Sequence, residues 1–199
     1  MCEIDWDLTI EALTLMVVTI GAWKGIREFQ HAQKWKRAEF LAQKHKDFTD
    51  NLYVQKAMRM LDGFAIFLPV DKNELDGSSE YIDFVPGKLS KALTPIADEV
   101  KRPKEEAYIR LCIDKFLFRL GVFQRYLDNN LVDKTQVQNL FGYWIKAIGD
   151  TNDKVIDLET KRLLHNYIID YNYEDVKDIL QTYGYTIKEV AGKDQHTNA

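Results

Sequence analysis

The sequence predicts an all-α protein in which an N-terminal single-pass membrane helix continues into a cytosolic helical bundle. Three observations carry this. Residues 8–26, LTIEALTLMVVTIGAWKGI, are nearly continuous apolar sequence whose charges are Glu11 and Lys24. Acidic residues precede that run and basic residues follow it. Beyond it, apolar side chains recur at steps of three and four, the period of a helix with one buried face.

Crossing about 30 Å of hydrocarbon takes about 20 apolar residues. Residues 8–26 reach that length only with Glu11 in one headgroup layer and Lys24 snorkelling into the other. The strictly apolar middle, residues 12–23, is short and contains Thr14, Thr19 and Gly21, so insertion is marginal. Glu3, Asp5 and Asp7 lie before the run, whereas Lys24, Arg27, Lys34, Lys36 and Arg37 lie after it. The positive-inside rule then places the N-terminus out and the larger C-terminal part in the cytoplasm, at the inner (plasma) membrane. Trp6 and Trp23 bracket the run, where indoles favour the two interfaces. The basic residues suit the anionic cytoplasmic leaflet. Gly21 and Gly25 form G-x-x-x-G beside Ala22, a spacing that lets two membrane helices approach and points to a homo-oligomer. The competing expectation is a core helix of a soluble bundle. The acidic N-terminus opposes a cleaved signal peptide, Cys2 has no lipoprotein signal before it, and Glu3 departs from the Met-Gly start of a myristoylated chain.

The sequence organises as residues 1–30, the anchor; residues 31–191, a helical cytosolic domain; and residues 192–199, a polar and disordered tail. Among 199 residues, 27 Lys and Arg against 31 Asp and Glu give a net charge of -4, which makes nucleic acid an unlikely partner. Cys2 and Cys112 exclude a disulfide framework. Cys112, between Leu111 and Ile113, reads as a small core hydrophobe.

No Gly or Pro occurs between Ile26 and Leu61, so the first helix continues through EFQHAQKWKRAEFLAQKHKDF. Phe29, Gln33, Lys36 and Phe40 share one face, and Trp35, Ala38, Leu41, Ala42 and His45 another. Asp50 and Asn51 supply a break or a new N-cap, and Val54, Ala57, Met58, Leu61 and Ala65 mark a second helix. Residues 69–86, PVDKNELDGSSEYIDFVP, read as a loop with a short extended piece at residues 81–85. A short helix follows at residues 88–93. The central helix spans residues 103–128, with Pro103 at its first position, Glu105 and Glu106 in its first turn, and Ile109, Ile113, Phe116, Leu117, Leu120, Phe123, Gln124 and Leu127 as its core face. Asp133 and Gln136 cap a helix that Gly149 closes. One more helix spans residues 157–170, and the last starts near Asn172, with Glu174 and Asp175 in its first turn, and ends at Gly184.

Complete chemical motifs are absent. Glu28 and His31 have the E-x-x-H spacing of carboxylate-bridged metal bundles, but no second copy exists, so neither a metal nor a cofactor is expected. A helical nuclease of the HEPN type places four to six residues between its Arg and His, whereas two separate Arg162 from His165. His165, with Arg162 and Asp170, is nevertheless the first candidate for catalysis, against the more common role of a hydrogen-bonded core histidine. Ser78 and Ser79 lack a nucleophile-elbow setting. No phosphate-cradling glycine loop occurs, since Gly142, Gly149 and Gly184 stand alone.

At WKRAEFLAQ, residues 35–43, the chain resembles a family of uncharacterised bacterial proteins, common in cyanobacteria, that carry a W-K-R-A-E-F segment after a single anchor. Met60, Leu61 and Asp62, the stretch FLFRLGVFQRYLDNNLV, the segment from Tyr143 through Trp144 and Ile145 to Lys146, and the close at Tyr183, Gly184 and Tyr185 extend the likeness over most of the chain. The resemblance implies a membrane-associated helical fold and no catalytic residues. In plan alone, anchor plus small helical domain, the chain is also similar to the accessory membrane proteins of type VI CRISPR systems, which form an oligomeric pore. The expected function is non-enzymatic: self-association or protein-partner binding at a membrane, in bacterial stress or phage defence. The alternatives are an RNA- or nucleotide-processing enzyme centred on His165, or a pore-forming defence effector.

Overall fold

A computed structural model describes residues 6–63, 67–70, 81–95 and 102–188. The tail at 192–199, Ala65, and Ser78 and Ser79 lie outside the described residues. The chain divides into two compact units, Met1–Lys44 and His45–Ala199; the sequence suggests a boundary at residue 30. Seven helices among the described residues establish the all-α class.

Helix α1, Trp6–Thr49, is the long helix expected from the absence of Gly and Pro after residue 26. Its part in the first unit is a helix with exposed side chains: Ile10, Leu13, Leu15, Met16, Val17, Val18, Ile20, Trp23 and Ile26 are each more than half exposed. At about 100° per residue these nine leave no gap on the circumference wider than about 80°. The hydroxyls of Thr14 and Thr19 donate to the carbonyls of Ile10 (2.8 Å) and Leu15 (2.7 Å), so these two side chains are satisfied by the helix itself. Among the described residues, no helix is long and apolar enough to cross a membrane.

In the second unit, Asn51 caps α2, Leu52–Leu61, by accepting from Val54 N (3.2 Å). Val54, Ala57, Met60 and Leu61 form its buried face. Met60 is buried, whereas Met58, expected on the buried stripe, is half-buried. Two short strands, β1, Phe67–Pro69, and β2, Tyr81–Asp83, pair antiparallel with Leu68 opposite Ile82. Residues 81–83 of the expected extended piece therefore form one strand of an antiparallel pair, whose partner at 67–69 starts before the stretch read as a loop.

Helices α3, Pro86–Leu93, and α4, Lys104–Asp128, follow. Pro103 is the N-cap of α4 rather than its first turn, with φ -53 and ψ 141. Helix α4 is the centre of the unit, packing against α2, α3 and the last helix. Every core residue expected on it is buried except Leu127, and Cys112 is buried as expected. Phe48, in the last turn of α1, fills the middle: its ring meets Phe116 (5.8 Å), Phe123 (6.0 Å) and Phe141 (5.0 Å), and Phe123 lies 4.1 Å from Phe141. Aromatic pairs at such separations add to the apolar area they bury.

Helix α5, Lys134–Gly149, starts with the expected capping pair: Gln136 Oε1 accepts from Asp133 N (3.1 Å), and the Asp133 side chain accepts from the Gln136 backbone. Gly149 does not close it through a left-handed turn. It is the last helical residue, and a Cβ there would stand 2.6 Å from Cβ and Cγ of Tyr185. The glycine admits a tyrosine ring, which is why the position is small.

Helix α6, Leu158–Asp170, is capped by Asp157, whose side chain accepts from Thr160 N (2.9 Å). Helix α7 is Glu174–Thr182. Asn172 ends α6 instead of starting α7: at φ 54 it is the left-handed residue of a Schellman turn, with Tyr173 N on Ile168 O (3.0 Å) and Asn172 N on Ile169 O (3.1 Å). Asn130 ends α4 the same way, and Gly184 (φ 88) ends α7, the second being the expected glycine.

Candidate functional site

Helix α6 carries the three residues singled out for catalysis, and it sends them in different directions. Arg162 and Asp170 are exposed and lie eight residues apart, about 12 Å along the axis. His165 is 5 % exposed and its Nε2 lies 2.7 Å from the Ile148 carbonyl oxygen. Burial pushes its pKa below the ordinary histidine value, the bond to Ile148 opposes the shift, and the nearby Lys161 charge adds to it. Neither of the two concavities described below is lined by any of the three.

Lys161, one turn before His165, is not among the residues that the sequence singles out. It is 1 % exposed, and its ammonium donates to the carbonyls of Asp150 (2.5 Å) and Asp153 (2.8 Å). Desolvation holds its pKa below the ordinary lysine value against the pull of Asp153 and Asp150. Lys161 and His165 together bind three carbonyl groups at and just after the C-terminal end of α5, where helical carbonyls lack partners of their own and cations are favoured. The signal was present in the sequence: Lys161, Leu164, His165 and Ile168 follow a buried stripe at steps of three and four, with a cation where an apolar residue was due.

A second cluster joins α4 to the α6–α7 turn. The Asp114 carboxylate accepts from the hydroxyls of Tyr167 (2.5 Å) and Tyr173 (2.7 Å). The Arg110 guanidinium stands 4.8 Å from the Tyr167 ring and 4.2 Å from the Tyr171 ring. Burial first, and the bonded carboxylate second, raise both the Tyr167 and Tyr173 hydroxyls well above the ordinary tyrosine value, so both remain donors. Next to them opens a concavity of about 490 Å³, walled by Phe118, Gly121, Arg125, Tyr171, Tyr173 and Asp175 among others. Phe118 and Tyr171 are 57 % and 45 % exposed there. Arg125 spans the wall, its Nε 2.7 Å and its Nη2 2.5 Å from Asp175 Oδ2. This surface can hold an aromatic or apolar side chain of another molecule; its charges are matched with one another. A smaller concavity of about 200 Å³ lies by Met60, Leu61, Leu89 and Ile156.

The remaining candidates lie on α1. Lys24, Arg27, Lys34, Lys36 and Arg37 are all exposed. A Cβ added at Gly21 or Gly25 would meet nothing within 4 Å, so both present open backbone. Thr14 shares their stripe, seven residues before Gly21. No group of three or more metal-ligating side chains occurs among the described residues.

Comparison with known proteins finds no match among family models, curated proteins or solved structures.

Proposed function

We propose that the chain is a non-enzymatic, membrane-held helical protein that acts by self-association and partner binding. One observation carries this: residues 10–26 of α1 present apolar side chains around the circumference except for a stripe of about 80° occupied by Thr14, Gly21 and Gly25. A helix buried on one face in a water-soluble bundle keeps its polar residues on the other; one that is apolar all round requires apolar surroundings on every side. Lipid supplies these, and the self-satisfied hydroxyls of Thr14 and Thr19 reduce the cost of entering it. The run is short for a full crossing, and a second copy packed along Gly21 and Gly25 would shield part of it. The flanking charges orient the N-terminus outward.

The second unit supports binding over catalysis. Three of its buried or half-buried ionisable groups, His165, Lys161 and Asp114, are each engaged in holding its own backbone or tyrosines. Its exposed aromatic wall at Phe118 and Tyr171 has the composition favoured at protein interfaces. A role in bacterial stress or phage defence is the context proposed for such a module.

Membrane fractionation of the full chain with carbonate washing tests the reading. The wild type is expected to remain in the membrane pellet, and Val17→Lys, which places a charge costing about 2.5–3.5 kcal/mol at the middle of the run, is expected to release it. Complete release of the wild type would overturn the membrane seat. Gly21→Leu with Gly25→Leu is expected to abolish cross-linked oligomers without releasing the chain.

A further inference from the structure

We propose that α1 recognises an anionic phospholipid surface, with Trp23, Lys24 and Arg27 forming the group at headgroup level. The proposal rests on the membrane seat of α1 and names the chemistry of the surface it enters.

Toward its end the apolar belt becomes mixed: Gly21 and Ala22 follow Ile20, and Trp23, Lys24 and Arg27 come within the next two turns, all exposed, with Ile26 the last apolar member of the run. The Arg27 guanidinium lies 4.9 Å from the centroid of the Trp23 ring. An indole in that position seats at a lipid interface, and a cation on its face keeps its charge beside the ring. Lys24 lies 3.9 Å from Glu28, but both are about three-quarters exposed, and a pair so hydrated holds its partners weakly. The Lys24 charge therefore remains available to a phosphodiester.

The other cations are arranged differently. Lys24, Arg27, His31 and Lys34 follow one face at steps of three and four, with Glu28 beside Lys24 at the edge of that face and Glu39 turned away from it. Along the axis, however, Arg27 is about 4.5 Å from Lys24, while Lys34, Lys36 and Arg37 are about 15–20 Å away. Surface attraction fades within a screening length of about 8 Å at physiological salt. With the apolar belt in hydrocarbon and the axis near the bilayer normal, Lys24 and Arg27 are inside that distance and the later three are outside it. Two cations of the five do the recognising.

The test uses the full chain with vesicles of phosphatidylcholine alone and of phosphatidylcholine with one-third phosphatidylglycerol. Binding is expected to favour the anionic vesicles and to weaken with salt. Lys24→Gln with Arg27→Gln is expected to lower affinity for them about 25-fold, roughly fivefold for each cation. Lys34→Gln with Lys36→Gln and Arg37→Gln is expected to change it less than about twofold. Equal binding of the wild type to both vesicles would overturn the proposal while leaving the membrane seat intact. A triple variant as weak as the double one would overturn the headgroup placement. Absence of binding to either vesicle would remove the membrane seat and the proposal with it.

Discussion

The Nε2 atom of His165 lies 2.7 Å from the carbonyl oxygen of Ile148. That contact assigns the histidine to the end of α5 rather than to a cleft. With Lys161 one turn earlier it turns α6 into a holder for the chain leaving α5, and it accounts for two ionisable residues in an otherwise apolar stripe.

The pH dependence of stability follows from the His165 shift. Its folded pKa lies below the ordinary value of 6.5 because burial disfavours the imidazolium. Between the two values the unfolded chain binds more protons, so stability is full above pH 6.5 and falls as the pH drops through the window down to the folded value. Urea midpoints measured on either side of pH 6.5 should show the fall in the wild type and a shallower one in His165→Gln, which keeps a hydrogen-bond donor but cannot titrate. Identical slopes in the two proteins would contradict the burial account.

Lys161→Met should destabilise the second unit by about 1–3 kcal/mol, because the Asp150 and Asp153 carbonyls lose their donor inside the fold. Arg162→Met, an exposed neighbour on the same helix, should stay within about 0.5 kcal/mol. Urea unfolding separates the two, and a neutral Lys161→Met would show that water replaces the ammonium.

Asp114→Ala strands two tyrosine hydroxyls, one of them on the fully buried Tyr167, and should cost about 1–3 kcal/mol for each hydroxyl left unsatisfied. In a double-mutant cycle, Asp114→Ala and Tyr173→Phe should be less than additive, since they remove the same bond. Strict additivity would mean that the three groups do not act as a cluster.

Gly149→Ala should cost about 1–3 kcal/mol through overpacking against Tyr185. Pairing it with Tyr185→Ala should recover the part due to the clash. If Gly149→Ala instead raises the melting temperature, by removing backbone freedom from a helix end, the close approach of the ring is not maintained in solution.

Thr14→Val with Thr19→Val should leave membrane retention of the full chain unchanged, because each hydroxyl is already spent on a carbonyl of the preceding turn. A marked gain in retention would show those hydroxyls to be costly in lipid.

Helix boundaries were legible where a side chain announces them. Asn51 caps its helix as its position suggests, and the α4 stripe from Ile109 to Gln124 is buried as its period requires, whereas Asp157, expected within its helix, is the cap. Asn172 was misassigned because asparagine serves equally as a first cap and as a left-handed terminator, and only the bonds from Tyr173 and Asn172 back to α6 separate the two roles. The strand at residues 67–69 was hidden because three residues carry too little alternation to register. The aromatic wall at Phe118 and Tyr171 was not legible, since its members come from α4 and from the α6–α7 turn, about fifty residues apart.

By itself the sequence determined the all-α class, the long unbroken first helix and the apolar belt with basic residues beyond it, because these depend on period, on the absence of Gly and Pro, and on charge order along one segment. Tertiary structure decided what the ionisable and small residues do: His165 and Lys161 hold carbonyls, Asp114 holds tyrosines, and Gly149 admits a ring. Those roles depend on neighbours that only packing brings within a few ångströms, and residue type alone does not specify a neighbour.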